Sequence, residues 1–528
     1  MLRRPHRSIV PVLLCMTSPA YAEITAMDVW ENMRTTASVF GGNLAARLEE
    51  SDDGLNASIV TYRLSLTAPT SNNGQPPAHL ADIEIMLPDM SLKETSQGTV
   101  QLNYDLSAPY VFTVSLSEGE TFAVSTSLSA SNGTMAATGT PEKITYDYAA
   151  ERFQINVGPF QIPDEDDVFE MKMSFGYENL LGQSLIDTSN GLKISSSSRN
   201  SLNTFTSEDR EPSEDGSIKI TSTKGTSRGV TASSELSLPS GEINLFNLAR
   251  ALRSGLQISA RMAADHYDET ENTTLSGPNS RLIAHRETSL GGQDLSFTLD
   301  QKGIDLSLAA RDVDVDATLP SLALFLIGTF EISAKHLDFR LALPLLKSDE
   351  VTDSFRLLLG LDEVELGENT WSAFDHSGTL PREPGNLKLD ISSTTKSNIE
   401  WLDFWELDSA LDATPGAYVQ PYDLKIDTLL LEALGTIASA TGAITFDHSD
   451  YETMEGMPLP EGDITVDIQG VQALLDALVE TELLPTDQAA GVRLLLGGFS
   501  KSIGEDHLTS TIEMTAEGHI LANGQRLK

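Results

Sequence analysis

Nine histidines, His6, His79, His266, His285, His336, His376, His448, His507 and His519, are spread through 528 residues. No two lie within four positions, so no single helix or strand presents a local imidazole pair to a metal ion. They read as surface or turn residues. The densest acidic run, Asp164-Glu165-Asp166-Asp167, offers the oxygen ligands that suit a hard divalent ion and is the one candidate calcium site. A solvated turn between two strands would use the same residues without any ion, and that reading is preferred. Asp312, Asp314 and Asp316 imitate the start of a calcium-binding loop, but Ala317 replaces its glycine and Ala323 its bidentate acid. Their alternation would set like charges on one face of a strand.

Nucleophile patterns fail in the same way. Gly182-Gln183-Ser184-Leu185-Ile186 and Gly498-Phe499-Ser500-Lys501-Ser502 lack the closing glycine of a nucleophile elbow. Ser393-Thr394-Thr395-Lys396 matches Ser-x-x-Lys with no Lys-Thr-Gly to accompany it. No glycine-rich phosphate loop occurs, and no cofactor is expected. Carboxylate pairs for glycoside hydrolysis stay open, because 77 Asp and Glu residues offer many pairs and spacing in sequence does not fix separation in space.

The elements that would position such groups are mostly strands. From about residue 56 the apolar period is two, in runs such as Ile59 to Leu66, Val100 to Tyr104, Phe112 to Leu116, Phe153 to Val157 and Phe169 to Phe175. Turn residues such as Ser131-Asn132-Gly133 punctuate them. Helices are expected near Met27, Ile243, Val351, Asn398, Val471 and Asp487. The first begins with Thr25-Ala26-Met27-Asp28, like a capping box, and carries Trp30, Met33 and Ala37 on one face. The last two form a hairpin, with Val471, Leu474, Leu475, Leu478 and Val479 in one apolar stripe. The expected fold is mainly β: long antiparallel, twisted and curved sheets with a few covering helices and a C-terminal helical hairpin.

The first 22 residues read as a cleavable export signal. Arg3, Arg4 and Arg7 precede an apolar run from Ile9 to Met16, too short to span a bilayer, and Pro19-Ala20-Tyr21-Ala22 places the cut after Ala22. Arg3-Arg4 lacks the hydrophobic pair of a twin-arginine signal, and Cys15 follows Leu14 where a lipidation site needs a small residue. Cutting there removes the single cysteine and leaves a periplasmic chain without thiol chemistry, disulfides or a transmembrane segment. With 35 Lys and Arg against 77 Asp and Glu, the net charge of −42 excludes non-specific nucleic-acid binding. The chain divides into 1–22 (signal), 23–182 (helix and β-meander), 183–242 (a Ser/Thr-rich connection or exposed strands), 243–400 (a second β-rich region) and 401–528 (strands with the hairpin). These parts can form one continuous body.

Two stretches carry a resemblance. One is Trp371-Ser372-Ala373-Phe374-Asp375 followed by Leu380-Pro381-Arg382-Glu383-Pro384. The other runs from Leu434-Gly435 through Thr441-Gly442-Ala443-Ile444-Thr445-Phe446 and Pro458-Leu459-Pro460-Glu461-Gly462 to Asn523-Gly524-Gln525. Together they resemble an exported bacterial family catalogued as domain of unknown function 2125, and the helix with Asp28-Val29-Trp30 looks like that family's mature start. Glu383 departs from the aspartate expected there. The resemblance could extend over most of residues 23–528; it implies a periplasmic setting and brings no catalytic residues. Trp30, Trp371, Asp375, Pro381 and Pro384 are expected to be structural, Pro fixing the entry to a strand and Trp anchoring a turn. Three functions stay open: a non-catalytic envelope protein whose partner is a lipid or another envelope component, an interaction module with a dry core, and a hydrolase using carboxylates.

Overall fold

The computed structural model describes residues 24–527 apart from 40, 68–78, 108, 117–118, 120, 165–166, 214–215, 240–246, 278–279, 319–327, 349–350 and 404–417. The export signal therefore lies outside the described residues. Strand accounts for 68% of the structure and helix for 12%, so the mainly β expectation holds. Every strand joins one antiparallel sheet of 27. Its order along the chain is β1 (Asn43–Ser51), β2 (Gly54–Thr67), β3 (His79–Met86), β4 (Met90–Glu94), β5 (Val100–Tyr104), β6 (Tyr110–Leu116), β7 (Thr121–Ser131) and β8 (Thr134–Thr140). Longer strands follow: β9 (Lys143–Asp164), β10 (Asp167–Asp187), β11 (Leu192–Pro212), β12 (Ile218–Leu238), β13 (Gln257–Ala264), β14 (His266–Ser276), β15 (Arg281–Asp300), β16 (Gly303–Thr318), β17 (Thr329–Leu343) and β18 (Thr352–Leu366). The sheet closes with β19 (Gly385–Ser397), β20 (Val419–Pro421), β21 (Asp423–Ala433), β22 (Thr436–Asp447), β23 (Leu459–Gln469), β24 (Lys501–Gly504), β25 (His507–Met514), β26 (Ile520–Ala522) and β27 (Gln525–Arg526). Most of the Ser/Thr-rich stretch is thus paired strand, with Ser195 to Ser198 in the middle of β11.

Helices cover the sheet at only a few places. Helix α1 (Ala26–Val39) starts at a reciprocal cap, Thr25 donating its N–H to Asp28 and Asp28 its N–H to the Thr25 hydroxyl. It buries Val29 and Trp30 against Leu55, Leu92 and Val100, the first core. Helix α2 (Leu248–Arg253) sets Leu252 among Leu192, Leu238, Leu256 and Leu299, the second core, and Arg253 pairs there with the buried Glu400. Helix α3 (Glu368–Phe374) packs on β17, while α4 (Val471–Glu480) and α5 (Thr486–Phe499) form the expected C-terminal hairpin.

One helix expectation is overturned. The stretch from Val351 to Leu359 lies almost wholly in β18, because Leu357, Leu359 and Leu361 alternate onto one side and register with Leu341, Phe339 and Leu337 of β17. Of the helix expected near Asn398, residues 398–401 are not helical, the Ser397 hydroxyl bonding to the Ile399 carbonyl and receiving the Trp401 indole N–H, and its continuation over 404–417 lies outside the described residues.

A transverse crease crosses the long strands. The ladder skips one position in each of them, at 151, 179, 201, 229, 265, 291, 312, 335 and 363, and these positions lie side by side. Asn179, Gly229, Asp312 and Glu363 have left-handed φ of 54, 61, 47 and 49°, a conformation that Gly, Asn and Asp adopt most readily. The pattern of apolar residues slips by one at the crease: Ile304, Leu306 and Leu308 precede it on β16, and Val313, Val315 and Ala317 follow. The slip keeps apolar residues on one side of a sheet that bends there. A Cβ at Gly229 would lie 2.1 Å from the Asp265 carboxylate, besides its positive φ. Gly229→Ala should therefore lower stability by about 1–2 kcal/mol from the backbone alone; an unchanged denaturation midpoint would show that the crease tolerates ordinary φ.

Candidate functional site

Register places large apolar side chains in continuous rows. One row crosses Ala260, Phe297, Leu306, Leu341, Leu357, Ile391, Ile426, Gly442, Ile464 and Ile512, one residue from each of β13, β15 to β19, β21 to β23 and β25. A second, two residues away, crosses Met262, Leu295, Leu308, Phe339, Leu359, Leu389, Leu429, Ala440, Val466 and Ser510. At roughly 4.8 Å per strand the rows run about 43 Å. Ala260 is exposed and Ala440 buried, and the other members are half-buried. Between Phe297, which packs against the α2 core, and Val466, no described helix shields them as α1 and α2 shield the two cores. At the far end α5 approaches Val466, Ile468 and Leu508 and leaves Leu494 and Leu495, 78% and 60% exposed, facing outward.

Hollows lie on both sides of the sheet, one of about 620 Å³ beside Asp305, Arg340 and Arg356 on the charged side and two on the apolar side. A hollow of about 370 Å³ spans β11, β12, β13, β15 and β16 over Ser198, Ala232, Ala260, Met262, Phe297 and Leu306. Another, of about 510 Å³, is lined by Tyr148, Ala150 and Leu180 on one side of the crease and by Leu128, Ala130 and Phe153 on the other. This hollow touches both halves of the sheet. We call the apolar side with its hollows the trough, and the parts before and beyond the crease its two walls.

The wall beyond the crease is more polar. Its row of Ile155, Phe175, Phe205, Gly225, Glu269, Thr288, Val315 and Ile332 is interrupted by Glu269. Glu269 accepts bonds from the Tyr267 hydroxyl and from Arg286 at 2.7 Å, and Arg286 also reaches Glu271 at 3.1 Å. Burial, and then the nearby Glu271 charge, push the Asp209 carboxyl above its ordinary range. The opposite side of the sheet is charged and paired, with Arg340 bidentate on Asp305 and Arg356 bidentate on Asp390. Such pairs on a wet face contribute little stability and keep that face in water.

The motif residues gather away from the trough, in a knot around α3. Trp371 is buried beside Phe374, and the Arg382 guanidinium lies 5.1 Å over its ring. Glu331 of β17 donates its N–H to the Thr370 hydroxyl at 2.6 Å, which pins the helix to the sheet. Asp375 is buried and accepts the N–H groups of Thr379 and Leu380 at 3.0 and 3.2 Å and the Ser377 hydroxyl. Burial pulls its pKa up, but these hydrogen bonds and Arg382 outweigh it and hold the carboxyl below the usual range. Pro381 packs against Gly435 in the β21 to β22 turn, and Pro384 stands exposed just before β19. Trp30 lies far along the chain in the first core.

A carboxylate with a depressed folded pKa stabilises the fold above its ordinary pKa, and that contribution is lost as pH falls through the folded value. The protein should lose melting temperature below about pH 4, and Asp375→Asn should flatten the decline; parallel melting curves for both forms would contradict this.

The remaining candidates separate. Asp164 ends β9 and Asp167 begins β10, paired in register, while Glu165 and Asp166 lie outside the described residues. Among the described residues no three His, Cys, Asp or Glu side chains are grouped to hold a metal. Ser393 donates its hydroxyl to the Asp423 carbonyl at 2.6 Å. Histidines have separate partners, His266 with Asp268, His507 with Asp467 and His285 with Asn272. Asp314 and Asp316 alternate with Val313 and Val315 along β16, and Asp312 occupies the crease. Sequence reasoning missed the crease, although its one-residue phase slip is written in β16.

Fold and site define a single-sheet, mainly β protein with one charged side and one apolar side. Residues 257–516, just under half of the chain, match the model of a bacterial family described as "Uncharacterized protein conserved in bacteria (DUF2125)". The match begins with β13 and ends just beyond β25, so it contains both apolar rows and the Trp371 knot but not the helix of Trp30. No curated protein and no solved structure matches the chain.

Proposed function

We propose that this is an exported, periplasmic, non-catalytic protein that holds the acyl chains of a lipid in the apolar trough. The observation that carries the reading is the pair of registered rows crossing ten strands with their large side chains half-buried. Amphipathic sheets ordinarily bury such a face against another layer, and an extended apolar ligand does the same work here. The rows are longer than the roughly 30 Å hydrocarbon core of a bilayer, and their uncharged lining suits acyl chains. The signal-like first 22 residues support export, and the net charge of −42 disfavours nucleic acid as a partner.

Native mass spectrometry and lipid extraction of protein purified gently from the periplasm test this. Stoichiometric lipid is expected. Monodisperse protein free of lipid would remove the reading and leave an interaction module.

A further inference from the structure

The 510 Å³ hollow at the N-terminal end of the trough is set between strands β5 to β10, in the part of the chain that precedes the family match. Its lining is apolar except for Asn103, Thr134 and three tyrosines, Tyr104, Tyr110 and Tyr148, and includes no charged side chain. Neighbouring Tyr146 donates its hydroxyl to Asn32 at 3.1 Å. The hydroxyls of Tyr104, Tyr110 and Tyr148 have no such acceptor among the described residues. Burial raises the pKa of Tyr104 to about 12, and burial together with Tyr104 raises that of Tyr110 to about 12. Both stay neutral donors at any working pH.

The hollow opens onto the trough through small residues. From Tyr148 the register runs to Gly182, Ser198, Ala232, Met262 and Leu295, the last two being members of the second apolar row. The Tyr148 ring occupies the place where a Cβ on Gly182 would be, within 2.3 Å. A ligand lying along this line meets hydroxyl donors at one end and aliphatic side chains at the other. With no counter-charge in the hollow, a phosphate or ammonium group would be desolvated without compensation. Neutral carbonyl acceptors flanked by hydrocarbon satisfy the donors without that cost.

Resting on the lipid reading above, we propose that this hollow takes the ester-bearing end of the lipid, Tyr104 and Tyr110 donating to its carbonyl oxygens while the chains continue along the apolar rows. A diacylglycerol, a diester without a charged headgroup, and its diether analogue with the same chains separate the possibilities, each titrated as a competitor of a fluorescent fatty-acyl probe bound to the full chain. The diester should bind roughly tenfold more tightly. The variant Tyr104→Phe/Tyr110→Phe, which keeps both rings, should bring the diester down to the diether's affinity and leave the diether unchanged; that second value also controls for folding. Equal affinities in the unmodified protein, or a preference that survives in the variant, would overturn the ester assignment with lipid binding intact. If neither lipid displaces the probe, the trough reading and the ester assignment fall together.

Discussion

Leu306→Asp should remove bound lipid, whereas Ser307→Asp, one residue along the same strand, should leave it in place. Leu306 lies in the first apolar row and lines the 370 Å³ hollow. Ser307 faces the other side of the sheet, in register with Arg340, where a new carboxylate meets a cation. A charge at 306 keeps its hydration shell and holds hydrocarbon away. If about three methylenes lose contact at roughly 0.8 kcal/mol each, affinity falls roughly fiftyfold. Because Leu306 is half-buried, the folded state should survive the change, and the melting temperature measured beside lipid content checks that it does. Equal lipid loss in both variants would mean that the ligand, if present, does not lie on the apolar side.

Trp371→Ala should lower stability by about 3–5 kcal/mol, the cost of removing a large buried aromatic ring and leaving a cavity. Trp371 is only 6% exposed, and its ring is covered by Arg382, which also pairs with Glu368 and reaches Asp375 at 3.7 Å. Its loss would free the guanidinium and loosen the turn in which Asp375 collects the Thr379 and Leu380 N–H groups. That turn sets Pro381 on Gly435, so the damage should reach the β21 to β22 turn. Trp371→Phe should lie between the two, since a ring remains under Arg382. Denaturant titration measures the difference, and an unchanged midpoint would refute the anchoring role.

How far the structure could be read in advance depended on the range of the forces involved. Alternation along single strands is local, so the β class, the α1 cap and the C-terminal hairpin were all visible in the chain. Leu357-Leu358-Leu359 satisfied a helical and a strand pattern together, and only pairing with Leu341, Phe339 and Leu337 decides for strand. Helix α3 is seven residues long, below the length at which periodicity speaks, so Trp371 showed itself as a motif and not as an element. The cap of α4 is equally non-local: Gly470 has no side chain, and Asp506, from the turn before β25, accepts the N–H groups of Gln472 and Ala473. The apolar rows are the extreme case. Each draws one unremarkable residue from each strand, mostly Leu, Ile or Phe, and only the register turns them into a surface.

The pairing pattern has a further consequence, for the way this protein comes apart. Strands pair with their nearest neighbours in the chain or with one two or three places removed, such as β12 with β14, β19 with β21 and β3 with β6. Among the described residues no pairing ties β1 to β27. Stability in such an array is close to a sum of terms between adjacent units, as in solenoid proteins, and cooperativity spreads along one dimension. The sheet can fray from either end while its middle stays ordered, and its mostly local pairings favour rapid growth from any formed hairpin. Such a chain can build its sheet progressively as successive segments emerge, adding strands to an existing edge without waiting for its C-terminal strands.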